Sequence, residues 1–131
     1  FQTVVAFLST KYEQTESTVS QNLGLIAAAY HYMEKNLSAD ITLAGLAESL
    51  SVSPRHLERL FRCYCRETPL EHLTELRMSR ALHELAYTDA PVSNIAALCG
   101  FSDPSYFSRV FKSRYQVSPR RYRELTSLTP C

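Results

Sequence analysis

Apolar residues recur at three- and four-residue intervals along most of the chain, which predicts an all-α protein. Leu25, Ile26, Ala29, Tyr30, Met33 and Leu37 outline a first helix from Leu23 to Leu37, ended between Asn36 and Asp40. The preceding residues open apolar (Val4, Val5, Phe7, Leu8) and become polar from Lys11 to Asn22, which reads as the end of an upstream element followed by a linker. Leu43, Leu46, Ala47 and Leu50 give a short second helix behind Thr42. Ser51-Val52 then makes a turn, Ser53 caps the third helix, and Pro54 takes its first position, where a missing N–H costs nothing. The buried stripe of that helix is Leu57, Leu60, Phe61 and Tyr64. Two short helices joined by so tight a turn, with small Ala47 at the crossing, form a helix-turn-helix unit. Thr68-Pro69 opens a longer helix with Leu70, Leu73, Leu76, Ala81, Leu82 and Leu85 inward, a rod of about 25 Å ending between Thr88 and Pro91.

The pattern then repeats. Ile95, Ala96 and Cys99 match Leu46, Ala47 and Leu50, and Gly100-Phe101 stands where Ser51-Val52 made the turn. One residue is inserted, Asp103 becomes the cap, and Pro104 with Phe107, Val110 and Phe111 rebuilds the stripe. Ser118-Pro119 opens a last short helix through Tyr122 and Leu125, as Thr68-Pro69 did for the rod. Two copies of one binding unit suggest a long, repetitive ligand, for which DNA is the first candidate.

The outward positions carry the chemistry. With Leu57, Leu60 and Phe61 inward, Arg55, Glu58, Arg59 and Arg62 face away from the core, and the same rule turns Ser105, Ser108, Arg109 and Lys112 outward. In a helix-turn-helix the second helix enters the major groove. There, arginine pairs with guanine, glutamate accepts from cytosine, and serine serves several bases. Arg55, Glu58, Arg59, Ser105, Ser108 and Arg109 therefore suit base readout. Arg62, Lys112, Arg120 and Arg121 suit phosphates, and Arg123 is a further candidate. His56, beside the stripe, reads as a boundary packing residue.

Net charge of +1 looks small for such a ligand, but the distribution alters that reading. Residues 1–52 hold two Lys against five Asp/Glu, whereas residues 53–131 hold twelve Lys/Arg against eight Asp/Glu. Residues 109–123 carry six basic side chains and no acidic one. Three glycines in 131 residues agree with a helical protein of one small domain. No apolar run approaches the roughly 18–20 residues of a membrane span, so the expected location is the cytoplasm. The start at Phe1 suggests a piece of a longer protein.

Cys63, Cys65, Cys99 and Cys131 have no metal-ligand spacing; Cys63 and Cys65 point apart on one helix, while Cys65 and Cys99 read as small core residues. No metal or cofactor is expected. An enzyme using Cys63 or His56 as nucleophile or base would need partners of which the sequence shows no sign. A helical protein-interaction module remains the other alternative.

The spaced residues Leu46-Ala47, His56-Leu57, Arg59-Leu60-Phe61-Arg62, Pro69, Arg77, Ala81, Ile95-Ala96, Gly100-Phe101, Tyr106-Phe107-Ser108-Arg109, Phe111-Lys112, Ser118-Pro119 and Tyr122-Arg123 resemble the DNA-binding domain of AraC/XylS-family bacterial transcription regulators. The resemblance covers about residues 23–126 and is most specific from Gly100 onward. It implies a seven-helix domain with two helix-turn-helix units, about 42–66 and 92–116, joined by a long helix at about 69–87. A last helix at about 118–126 and a tail of 127–131 follow. It further implies double-stranded DNA as partner, RNA polymerase as a candidate partner, and an effector-binding or dimerisation domain upstream of residues 1–22. The family usually has Gly where this chain has Arg66 and Gln116, at helix ends that call for a left-handed residue.

Overall fold

The structure is a computed structural model that describes the backbone of residues 2–127 and the side chains of residues 15–127. Among these residues it contains seven helices and no strand: α1 Gln2–Lys35, α2 Leu43–Ser49, α3 Pro54–Cys65, α4 Pro69–Tyr87, α5 Val92–Leu98, α6 Pro104–Tyr115 and α7 Pro119–Ser127. The expected tail from 128 on and the apolar side chains of the opening lie outside the described residues.

The helices fall into two compact units. One comprises the chain up to Tyr32 together with Leu43–Pro69; the other comprises Met33–Thr42 and the chain from Leu70 onward. Each contains one helix-turn-helix. In the first, Leu46 and Ala47 of α2 and Leu57, Leu60 and Phe61 of α3 are buried, as the spacing predicts. Tyr30 of α1 meets the Phe61 ring edge-on, with centroids 5.8 Å apart. In the second, Ile95, Ala96 and Cys99 pack with Phe107 and Phe111 of α6 and with Met78, Ala81 and Leu85 of α4. Phe111 also contacts the rings of Tyr115 at 4.8 Å and Tyr122 at 5.8 Å, and the latter holds α7 against α6.

The two turns close by the same backbone geometry. Val52 N–H donates to Ala47 O at 3.0 Å and Ser51 N–H to Glu48 O at 3.0 Å; Phe101 N–H donates to Ala96 O at 2.9 Å and Gly100 N–H to Ala97 O at 3.0 Å. Each is a Schellman closure with a left-handed residue, Ser51 at φ 58° and Gly100 at φ 87°. Glycine is required only in the second, where a Cβ would sit 2.6 Å from Leu37 O and 2.7 Å from the Arg77 guanidinium.

Arg77 explains that crowding. Its Nε donates to Leu37 O at 3.2 Å and its Nη2 to Ala39 O at 2.8 Å, satisfying carbonyls just beyond the end of α1. Burial lowers the pKa of this guanidinium, while the nearby Asp40 carboxylate and Cys99 oppose the shift. Arg123 of α7 closes the end of α4 in a similar way, with Nε on Leu85 O in its last turn at 3.2 Å and Nη2 on Thr88 O just beyond it at 3.1 Å.

The structure departs from the sequence expectations at three places and meets them at the two helix ends that lack glycine. α1 starts at Gln2 rather than Leu23, because the polar stretch before Asn22 contains neither Pro nor Gly to break a helix. Tyr64 is exposed rather than part of the stripe, its hydroxyl accepting from Asn22 Nδ2 at 3.2 Å. Leu70 is exposed, and Met78, absent from the expected face of α4, is fully buried. Arg66 and Gln116 adopt the left-handed conformation at φ 57° and 68°, so these helix ends keep the geometry for which glycine is suited and carry its steric penalty.

Candidate nucleic-acid interface

The surface begins with how α3 and α6 start. Ser53 Oγ accepts from His56 N–H at 3.1 Å, and Asp103 Oδ1 accepts from Ser105 N–H at 3.0 Å, each with Pro at the first helical position. These caps fix where the first turn begins and therefore which side chains lead. The buried stripe then fixes rotation: with Leu57, Leu60 and Phe61 inward, Arg55, Arg59 and Arg62 are exposed and Glu58 is half-buried. On α6, Ser105, Arg109 and Lys112 are exposed and Ser108 is half-buried. All eight residues thus lie off the core on their helices, in the two sets the spacing predicts.

The residues of α7 divide. Ser118 Oγ accepts from Arg121 N–H at 3.1 Å and starts the helix. Arg120 and Arg121 are exposed, the latter 3.3 Å from Glu124 in an ion pair whose two side chains are 56% and 55% exposed, open enough for water to screen it. A cleft of about 550 Å³ is lined by Val92, Ser108, Ser118, Pro119, Arg120, Arg123 and Glu124. It brings Ser108, expected at a base, and Arg120, expected at a phosphate, to one concavity. Arg123, on the same cleft, is engaged through Nε and Nη2 with the Leu85 and Thr88 carbonyls and so serves the fold.

A second concavity of about 490 Å³ is lined by Tyr106, Arg109, Val110, Ser113 and Arg114. Tyr106 and Arg114 were not among the expected surface residues, and Tyr106 is 53% exposed. Its register was a usable signal, because it occupies in α6 the position of His56 in α3, at the edge of the stripe. His56 Nδ1 lies 3.3 Å from Arg59 Nη2, and Arg109 Cζ lies 5.8 Å from the Tyr106 ring centroid. The boundary position is therefore in contact with a candidate arginine in both units.

Among the cysteines, Cys63 is exposed, Cys99 is buried, and Cys65 is half-buried with Sγ 3.1 Å from Tyr30 Oη. Burial pushes the Cys99 thiol up to about 11, which keeps it protonated and inert near neutrality. No helix of the described residues is long and apolar enough to cross a membrane.

Comparison with known proteins gives this arrangement a family. Residues 46–125, from α2 into α7, match the family model described as "Helix-turn-helix domain". The chain is 38% identical over 92 residues to the HTH-type transcriptional activator RhaS of Mannheimia succiniciproducens, covering 70% of this chain and 34% of that protein. It is 38% identical over 96 residues to the HTH-type transcriptional regulator CdhR of Pseudomonas aeruginosa, covering 73% and 29%. The chain thus spans about a third of the length of these curated relatives. Among solved structures it is similar to a transcriptional regulator of the AraC-type DNA-binding-domain proteins from Chromobacterium violaceum, at TM-score 0.76 and 29% identity, over 85% of this chain and 99% of that one. It is also similar to the DNA-binding domain of AdpA in complex with a target DNA, at TM-score 0.73 and 27% identity, over 79% and 93%. Two capped helix-turn-helix units, seven helices in this order and these likenesses lead to one assignment: the chain belongs to the AraC/XylS family of helix-turn-helix domains.

Proposed function

We propose that the chain binds double-stranded DNA sequence-specifically as part of a bacterial transcription regulator, presenting α3 and α6 to two major-groove segments. The observation that carries this is the repeated exposed face, with Arg59 and Arg109 at the same register of two helices capped and rotated alike. Arg55, Glu58 and Arg59 read bases in one segment and Ser105, Ser108 and Arg109 in the other. An arginine there donates two bonds to guanine O6 and N7, Glu58 accepts from cytosine N4, and the serine hydroxyls adapt to several edges. Arg62 and Lys112 lie a turn further along each helix and neutralise phosphates, as do Arg120 and Arg121. The likeness to a domain solved on its target DNA supports this reading.

The DNA-binding part is residues 23–126. The stretch before it leads in from an effector-binding or dimerisation domain, and RNA polymerase is a further partner. The protein acts in the cytoplasm and catalyses no reaction.

Fluorescence anisotropy with duplex DNA tests this at several salt concentrations. The affinity falls steeply with salt, because each phosphate contact releases counterions, and a duplex selected from a random pool binds more tightly than random DNA at every salt. Salt-independent binding, or equal affinity for selected and random duplexes, refutes it.

A further inference from the structure

Two of the arginines assigned above to base readout, Arg59 and Arg109, have a ring one helical turn before them. His56 precedes Arg59 by three residues and stands 3.3 Å away, Nδ1 to Nη2. Tyr106 precedes Arg109 by three residues, with the guanidinium carbon 5.8 Å from its ring centroid. The chemistry of the two supports differs. A guanidinium only donates hydrogen bonds, so the His56 contact requires Nδ1 to carry a lone pair. The Tyr106 contact uses the negative face of the ring and makes no use of the hydroxyl. Tyr106 is itself held from behind: its ring lies 6.1 Å from Phe101, and Phe101 lies 5.3 Å from buried Phe107. The support therefore reaches the core while the supported arginine stays exposed.

We propose that His56 and Tyr106 are positioning residues that hold Arg59 and Arg109 in the orientation needed for base contact, one through a hydrogen-bond acceptor and the other through a ring face. This rests on the base-reading role given to the two arginines. An unsupported arginine samples many rotamers and loses that freedom on binding, whereas one already aligned loses less. Moreover, the benefit falls on the correct base alone, because a wrong base does not use the aligned fork. Removing a support therefore lowers discrimination at one base pair and leaves phosphate-driven affinity in place.

The difference in chemistry supplies the test, since the ring alone suffices at position 106 while an acceptor acts at position 56. Binding is measured by anisotropy on a duplex selected by the wild-type protein and on duplexes with each base pair changed in turn. Arg59→Ala and Arg109→Ala first identify the pair each arginine reads; if neither relaxes any pair, the base-reading role itself fails. With those pairs known, Tyr106→Leu lowers discrimination at the Arg109 pair by about two- to fivefold, the size of an exposed cation–π contact, and spares the Arg59 pair. Tyr106→Phe keeps wild-type discrimination, whereas His56→Leu, which has neither an acceptor nor a ring face, lowers it at the Arg59 pair. Discrimination is a ratio of affinities, so a variant that is partly unfolded still reports it. The inference is overturned if Tyr106→Leu weakens all duplexes alike, if Tyr106→Phe matches Tyr106→Leu, or if His56→Leu behaves as wild type while the arginine variants relax their pairs.

Discussion

Gly100→Ala offers a sharp test of the packing that holds the second helix-turn-helix. The added Cβ would lie 2.6 Å from Leu37 O and 2.7 Å from Cζ and Nε of Arg77, and the backbone is at φ 87°. A left-handed conformation costs a non-glycine residue about 1–2 kcal/mol. The carbonyl is backbone and the guanidinium is pinned by two hydrogen bonds, so relief requires Arg77 to let go of Leu37 O and Ala39 O. Hydrogen bonds from a charged donor are worth about 1.5–3 kcal/mol each, and part of that loss is recovered by water. The substitution should therefore destabilise by about 3–5 kcal/mol. At about 4 °C per kcal/mol for a chain of this length, the melting temperature should fall by roughly 10–20 °C in a circular-dichroism melt. Ser51→Gly, at the matching position of the first unit, should be neutral or stabilising by up to about 1 kcal/mol, since glycine relieves the φ of 58° there. In a double-mutant cycle, Gly100→Ala and Arg77→Met should be strongly non-additive, because both remove the same bonds. Additive effects, or a melting temperature within about 3 °C of wild type for Gly100→Ala, would show that Gly100 and Arg77 do not share this packing.

Arg66→Gly and Gln116→Gly should each stabilise by about 0.5–1 kcal/mol in urea unfolding, the relieved left-handed strain exceeding the extra freedom glycine gives the unfolded chain. Arg123→Gln should destabilise by about 1–3 kcal/mol through the exposed carbonyls at the end of α4, whereas Arg120→Gln should leave stability within about 0.5 kcal/mol. Under native conditions near neutral pH an alkylating reagent should modify exposed Cys63 and spare Cys99, as read by mass spectrometry of peptides. Because the folded Cys99 thiol titrates above the unfolded one, its contribution to stability is complete below a pH of about 9 and is lost as pH rises toward about 11; melts of Cys99→Ala should lack that part of the pH dependence.

The two helix-turn-helix units were legible in the sequence because their information is local. Caps at Ser53 and Asp103, proline at the next position and an apolar stripe at helical spacing fix the start and rotation of α3 and α6, and the outward faces follow. The start of α1 was not legible for the converse reason. From Thr15 to Gln21 every side chain is exposed, so the helix has no buried stripe to betray it and reads as a linker. The roles of Arg77 and Arg123 were hidden by distance, since their carbonyl partners lie 35–40 residues earlier and nothing near them in sequence marks the bond. Arg123 in particular sits in a basic run and looks like its neighbours Arg120 and Arg121 until the fold shows what it holds. Tyr106 is hard to place from the sequence, because an aromatic residue beside a buried stripe resembles core, although Phe107 and Phe111 fill that place and leave Tyr106 outside.

Whether α3 and α6 each read bases is decided by selecting bound sequences from a random DNA pool with the wild-type protein, Arg59→Ala and Arg109→Ala. Two conserved blocks are expected for the wild type, with Arg59→Ala erasing preference within one and Arg109→Ala within the other. A single block, or two blocks that persist in both variants while affinity falls uniformly, would contradict base reading by both helices.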